Sequence, residues 1–208
     1  WDDLKSISKN HDLMADLVLN HISSSHPWVQ EFIKSQEPGI SNVFAPDKNL
    51  DWSNVVRPRS SSLFSQINTE DGPKQVWTTF GPDQIDLNWH NPKMTLEFLN
   101  LIITYLSNGI KWFRLDAVGF IWKESGTTCL HLPKAHSIVK ILRVLLNNLL
   151  DDGVLITETN VPQKENLSYL IPEDEAHMAY NFPLPPLLLE AIITSRADIL
   201  NSWIFDWP

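Results

Sequence analysis

One cysteine, Cys129, stands in 208 residues. That scarcity excludes an internal disulfide framework and any zinc site built from several thiolates, and it fits a reducing, cytoplasmic setting. Long apolar runs are missing as well. None reaches the roughly 20 residues that cross a bilayer, and the first residues lack the pattern of a secretion signal. Positive charge is sparse: 16 Lys and Arg face 25 Asp and Glu, a formal net charge of −9. Nucleic-acid and anionic-membrane partners need a basic patch, so both are disfavoured. No glycine-rich phosphate loop follows a candidate strand, which removes the usual warrant for a doubly wound sheet. No internal repeat is visible.

What is present is globular: 43% hydrophobic and 20% charged residues, enough chain for one large domain or part of a larger one. Trp1 and Pro208 both lie in sequence that reads as structured, so a fragment is expected. Nine tryptophans are many for this length. Flat aromatic faces suit sugar clefts, although core packing explains tryptophans equally well.

Strands and helices alternate. Residues 1–9 read as a helix end, with Leu4 and Ile7 on one side. Residues 13–19 are mostly apolar, the pattern of a parallel strand buried on both faces. Asp16 shares a face there with Met14, Val18 and Asn20, and His21 follows. A helix begins at Pro27 and carries Trp28, Val29, Phe32 and Ile33. Residues 39–84 change character, rich in Ser, Asn, Asp and Pro, with a hairpin expected from runs 62–67 and 75–80. Asn91-Pro92 opens a helix whose apolar face is read as Leu96, Leu99, Ile102, Ile103 and Leu106. A strand over 111–118 comes next. Pro133 opens a helix with Ile138, Ile141, Leu142, Leu145 and Leu149 at helical spacing. Further strands are expected at 154–158 and 177–182, and helices at 184–195 and 198–205. This alternation predicts parallel βαβ units and an α/β fold, part of a (β/α)8 barrel. Residues 1–38 and 85–208 belong to the barrel, and 39–84 form a small inserted domain.

The candidate chemistry sits at strand ends. Side chains alternate along a strand, so Arg114 and Asp116 share one face while Phe113, Leu115 and Ala117 share the other. Asp16 and Glu158 occupy comparable places in their strands. Barrel active sites lie at the C-terminal ends of the strands. Charges at that end of three successive strands fit a catalytic site better than a structural ion-pair network. Two carboxylates in unlike environments are what glycoside cleavage needs. A guanidinium beside Asp116 favours its ionised form, as a nucleophile requires. Glu158 closes an apolar strand, whose dry surroundings favour the protonated form of an acid/base. A separation of about 5–5.5 Å would make the reaction retaining.

Three stretches resemble, in order, the first three signature regions of the alpha-amylase superfamily of glycoside hydrolases. They are Asp16-Leu17-Val18-Leu19-Asn20-His21, the run from Gly109 to Ala117 around Arg114 and Asp116, and Ile156-Thr157-Glu158. Val76-Trp77-Thr78-Thr79-Phe80, Asp83-Gln84-Ile85-Asp86-Leu87, Trp122-Lys123-Glu124-Ser125-Gly126-Thr127 with Cys129, and the run Phe182 to Leu189 resemble the sucrose phosphorylase branch. Glu158-Thr159-Asn160-Val161-Pro162 resembles the part of that branch holding glucosylglycerate and sucrose-6-phosphate phosphorylases. The resemblance implies that the insert follows the third barrel strand. It implies a retaining double displacement on an alpha-glucoside with inorganic phosphate as co-substrate and no cofactor. Asp116 would be the nucleophile, Glu158 the acid/base, Arg114 the group orienting Asp116, and His21 a ligand of the glucosyl unit. Asp16 would support Arg114. Phe80 and Gln84 match positions near the acceptor, and Phe120 an aromatic beside the site, with plain core as its other reading. Asn20 matches a calcium ligand of some amylases, but this branch is not expected to need a metal. A fourth region, with an Asp that stabilises the transition state, is not in the chain, so the segment alone is expected to be inactive. A hydrolase of the same mechanism and a non-catalytic sugar-binding remnant are the alternatives. The loss of Asp116 or Glu158 would mark the remnant, and both are present.

Overall fold

The computed structural model describes residues 1–47, 49–171 and 173–205. In chain order it contains α1 (Asp2–Ile7), β1 (Leu13–Val18), β2 (His21–Ser23), α2 (Pro27–Ile33), α3 (Gly39–Asn42), β3 (Phe64–Thr69), β4 (Gly72–Trp77), β5 (Gln84–Asp86) and α4 (Pro92–Leu106). β6 (Ile110–Asp116), α5 (Pro133–Leu149), β7 (Val154–Thr157), α6 (Gln163–Leu167), β8 (Met178–Ala179), α7 (Leu184–Thr194) and α8 (Asp198–Phe205) follow.

Four strands form one parallel sheet in the order β1-β6-β7-β8. Its register sets Asp16 beside Arg114 and Val18 beside Asp116. Helices α4 and α5 cover one face. Phe113, Leu115 and Leu155 of the strands pack there with Met94, Phe98, Ile102, Ile138, Leu142 and Leu146. The sheet does not close, and β1 and β8 are its edges.

The opposite face is where expectation and structure part. β1 is buried on one face only: Leu17 is inaccessible, whereas Met14 and Val18 are exposed. Its apolar run matches a strand with partners on both sides, but nothing among the described residues covers the Met14 side. α4 follows the stripe read in the sequence only in part: Ile102 is buried and Leu99 and Leu106 pack against the core, but the fully buried line is another one. Met94, Phe98 and Ile102, spaced by four, are buried, while Leu96 and Ile103 are exposed. In α5, Ile138 and Leu142 are buried as expected and Ile141 and Leu149 are not. β8 is two residues long rather than six, although the His177 and Tyr180 amides still donate to Leu155 and Thr157 of β7. α7 and α8 bury no residue.

Between β1 and α4 the chain makes an excursion. β2 pairs antiparallel with β5, and β3 with β4. The β3–β4 hairpin is tighter than expected. Its strands run inward to Thr69 and Gly72, leaving Glu70 and Asp71 as the turn. Gly72 takes φ 106°, a conformation that a side chain disfavours. Val29, Phe32, Val43, Val76 and Ile85 form a second apolar cluster under this layer.

Candidate active site

β6 ends at Asp116 because Ala117 enters the left-handed region, at φ 52°, and a single 3-10 turn, Val118–Phe120, follows. The strand end therefore presents Arg114 and Asp116 on the face away from the helices. Glu158 comes one residue after β7, and its amide donates to the Leu115 carbonyl at 3.1 Å. That bond fixes where its side chain emerges.

One guanidinium gathers three carboxylates. Arg114 Nη1 lies 2.9 Å from Asp116 Oδ1 and 3.1 Å from Asp16 Oδ2, and Nη2 lies 3.8 Å from Glu158 Oε1. The Ala117 amide donates weakly to Glu158 Oε2 at 3.4 Å. Asp116 and Glu158 therefore share one side of the sheet. Burial works against the Arg114 charge, but the Asp16 hydrogen bond and the Asp116 and Glu158 charges outweigh it and raise its pKa. The guanidinium also sits 5.3 Å from the Tyr180 ring centroid. A structural pair balances its charges. Three carboxylates on one cation leave an excess of negative charge, a cost expected where charge serves a reaction.

The dry pocket expected around Glu158 is absent. Its side chain is as accessible as that of Asp116, 22% each, and both face the same cation. What differs is distance: Arg114 grips Asp116 and only approaches Glu158.

β2 brings up the next group. The Gln84 amide lies 2.9 Å from His21 Nε2. The His21 ring lies 5.3 Å from that of Phe80, which packs edge-on to Phe120 at 5.4 Å. His21, Gln84, Phe80 and Phe120 thus come together, and Phe120 borders a cleft rather than filling the core. Burial lowers the His21 pKa, with Asp86 and Asp116 pulling it back part of the way. Its Nδ1 is buried and has no hydrogen-bond partner among the described residues.

Asn20 lies behind this layer, fully buried. Its Nδ2 donates to Asp86 Oδ2 at 2.9 Å and its Oδ1 accepts from Lys123 Nζ at 2.8 Å. Lys123 and Asp86 form an ion pair at 2.7 Å with almost no exposure on either side chain. The Thr79 amide and hydroxyl donate to the same carboxylate at 2.9 and 2.6 Å. Burial pulls the Lys123 pKa down, and Asp86 opposes it. Sequence reasoning quoted the motifs holding Asp86 and Lys123 but gave neither residue a role. Among the described residues no group of three His, Cys, Asp or Glu side chains is set to hold a metal ion.

A cleft of about 400 Å³ opens at Glu158. Phe80, Ala117 and Phe120 form one part of its wall, and Arg59, His131, Asn160 and Phe182 another. Arg59 and His131 were not singled out from sequence. Arg59 lies in a Ser- and Pro-rich stretch whose approach to Glu158 depends on the fold of the insert.

The catalytic-domain family described as "Alpha amylase, catalytic domain" matches residues 3–201. The chain belongs to the alpha-amylase family. Among curated relatives, glucosylglycerate phosphorylase of Allomeiothermus silvanus is 45% identical over 204 residues, covering 98% of this chain and 37% of that protein. The protein of the same description from Escherichia coli is 42% identical over 206 residues, with the same two coverages. The chain thus spans little more than a third of the relatives it matches. A crystal structure of sucrose 6F-phosphate phosphorylase from Thermoanaerobacter thermosaccharolyticum superposes with a TM-score of 0.85 at 24% identity, covering all of this chain and 45% of that one. That likeness identifies the open parallel sheet as part of an alpha-amylase-type (β/α)8 barrel.

Proposed function

We propose that the protein carrying this chain is a retaining glucosyl-transferring phosphorylase acting on an alpha-glucoside such as glucosylglycerate, sucrose or sucrose 6-phosphate. The observation that carries the reading is the shared guanidinium, 2.9 Å from Asp116 and 3.8 Å from Glu158. Two carboxylates on the two arms of one planar group are close enough to serve a single glycosidic bond.

In the first step an Asp116 oxygen bonds to the anomeric carbon as the bond to the leaving oxygen breaks. Glu158 gives that oxygen its proton. In the second step a phosphate oxygen attacks the same carbon, the Asp116–carbon bond breaks, and Glu158 takes up a proton from the incoming phosphate. Two inversions give net retention. Arg114, 2.9 Å from Asp116, holds its carboxylate in place. His21, kept largely neutral by burial, serves the glucosyl unit as a hydrogen-bonding ring. Asp16 braces Arg114 from β1. Arg59 in the cleft wall supplies positive charge suited to phosphate or to an anionic acceptor. The relatives named as phosphorylases support phosphate as the second substrate. A cytoplasmic setting, where phosphate is at hand, belongs to the same proposal.

The test is to incubate the full-length protein with glucosylglycerate or sucrose, with and without inorganic phosphate. Glucose 1-phosphate should form, and only when phosphate is added. Glucose released at one rate in both conditions would replace the phosphorylase reading with a hydrolase of the same mechanism.

A further inference from the structure

We infer that Tyr180 is a positioning residue for glucosyl transfer: its ring backs the Arg114 guanidinium and keeps it on Asp116 rather than on Glu158. The transfer step rests on the phosphorylase reading, and the role of Tyr180 rests on its geometry.

The Arg114 guanidinium meets groups from all four strands of the sheet. β6 carries it and Asp116, and β1 supplies Asp16. Glu158 follows β7, and Tyr180 directly follows β8. The carboxylates of Asp116, Asp16 and Glu158 compete for its nitrogens, at 2.9, 3.1 and 3.8 Å. The fourth contact is of another kind. The guanidinium carbon lies over the Tyr180 ring, 5.3 Å from its centroid. An aromatic face attracts a cation without a hydrogen bond, so this contact holds the group and takes none of its donors.

The ring's own place is fixed through the backbone. The Tyr180 amide donates to the Thr157 carbonyl at 2.9 Å, and the Tyr180 carbonyl accepts from Asn166 Nδ2 at 2.9 Å. Asn166 Oδ1 in turn accepts from the Thr159 hydroxyl at 2.7 Å. Thr159 is the residue after Glu158, and Thr159 and Asn166 are both buried. One side chain of α6 therefore ties the exits of β7 and β8 together, and with them the backbones that carry Glu158 and the ring. Among the described residues the Tyr180 hydroxyl has no hydrogen-bond partner, so the ring and not the hydroxyl serves Arg114.

Without this backing the guanidinium has a competing place. Nη2 stands 3.8 Å from Glu158 Oε1, about 1 Å longer than a charge-assisted hydrogen bond. The group is planar and rigid, so a swing that closed this gap would loosen the 2.9 Å contact with Asp116. The nucleophile would then be free to turn, and the acid/base would be tied to a cation. The ring favours the other arrangement, and so sets how much of the protein is poised for the first step.

The experiment follows the first turnover of glucosyl fluoride by the full-length protein, read as fluoride release. Fluoride leaves without needing a proton, so the rate reports Asp116 and Arg114 apart from Glu158, and no phosphate is required. The variants are Tyr180→Leu, Tyr180→Phe, and Tyr180→Phe with one or three ring fluorines. Fluorine draws negative charge from the ring face and leaves its shape nearly unaltered, so it weakens the pull on a cation alone. Tyr180→Leu should slow the first turnover about tenfold, as loss of one desolvated cation–π contact predicts, with the half-saturating donor concentration moving less than about twofold. Tyr180→Phe should stay within about threefold of wild type, and the rate should then fall stepwise with added fluorine. Equal rates along the fluorine series overturn the inference, because a ring that only packs is indifferent to its charge distribution. So does a wild-type first turnover in Tyr180→Leu. If Tyr180→Leu does not fold, the fluorine series decides alone. A wild type that forms glucose at one rate with or without phosphate sinks the phosphorylase reading, and the same series still decides the role of Tyr180. A wild type that releases no fluoride sinks both.

Discussion

Replacing Lys123 by methionine is the sharpest probe of what holds the site's floor. The ammonium is buried and gives its hydrogen bonds to Asn20 Oδ1 at 2.8 Å and Asp86 Oδ2 at 2.7 Å. Methionine fills the space and removes the charge. Asp86 then keeps its bonds from Asn20 and Thr79 but has no counter-charge, and its side chain has no exposure to water. Removing one partner of a buried pair costs about 3–5 kcal/mol, because the other charge is left uncompensated. For an unfolding unit of 150–250 residues that corresponds to a fall of roughly 6–20 °C in melting temperature. The cost should be non-additive. Asp86→Asn with Lys123→Met should lose less than the sum of the two single variants, because the double variant buries no lone charge. His21 should feel the change, since it sits opposite Asp86 in the β2–β5 ladder. The assay is a double-variant cycle by thermal and denaturant unfolding of the full-length protein, with glucosyl-donor KM measured alongside. A single-variant cost under about 1 kcal/mol, or strict additivity, would refute the claim that the pair is buried and coupled.

On the proposed mechanism Asp116→Asn should lower turnover by about four or more orders of magnitude, measured as glucose 1-phosphate formation, because the proposed covalent step would lose its nucleophile; near-normal turnover excludes that role. Glu158→Gln should be slowest on donors whose leaving oxygen needs a proton and least impaired on an activated glucosyl donor, so equal loss on both would remove the acid role. His131 binds a proton near pH 6.5 in the unfolded chain and only near about 4 when folded. Between those values the unfolded state holds more protons, so stability is full above about 6.5 and falls as the pH drops toward 4. Melting curves of wild type and His131→Gln at pH 7.5 and 4.5 check this, and the variant should lose less. The segment alone should be inactive and self-associate, since Ile192, Ile193 and Phe205 are more than 70% exposed; a monomer that binds no hydrophobic dye contradicts this.

The parts of the site legible in sequence are those that strand alternation fixes locally. Arg114 and Asp116 are two residues apart, so one period of a strand commits both to the same side. A slip of one residue would have turned them toward Met94 and Phe98. The place of Asp16 beside Arg114 came from the family resemblance, not from alternation, and the β1–β6 register bears it out. Periodicity misled where more than one stripe fitted. The apolar residues of α4 admit both the stripe read in the sequence, Leu96, Leu99, Ile102, Ile103 and Leu106, and the line Met94, Phe98 and Ile102, which share Ile102. Packing against β6 selects the second. β1 reads as doubly buried because its composition suits a barrel interior that the described residues leave open at Met14 and Val18.

What stayed hidden is what depends on pairing across distance. Lys123 and Asp86 are 37 positions apart with no local pattern to link them, and the buried pair appears only when Asn20 and Thr79 close around it. His131 carries no local mark either. Its place is set by Gly119, which leaves room for the ring, and by Tyr169, 38 positions on, whose hydroxyl lies 2.9 Å from its Nδ1. The expected contrast between a wet and a dry carboxylate failed for a related reason. Glu158 does close an apolar strand, but parallel pairing with β6 brings the Arg114 guanidinium within 3.8 Å of it. The difference between the two acids must then come from how tightly the cation holds each, and from what the cleft contains when the bond between sugar and acceptor is made or broken.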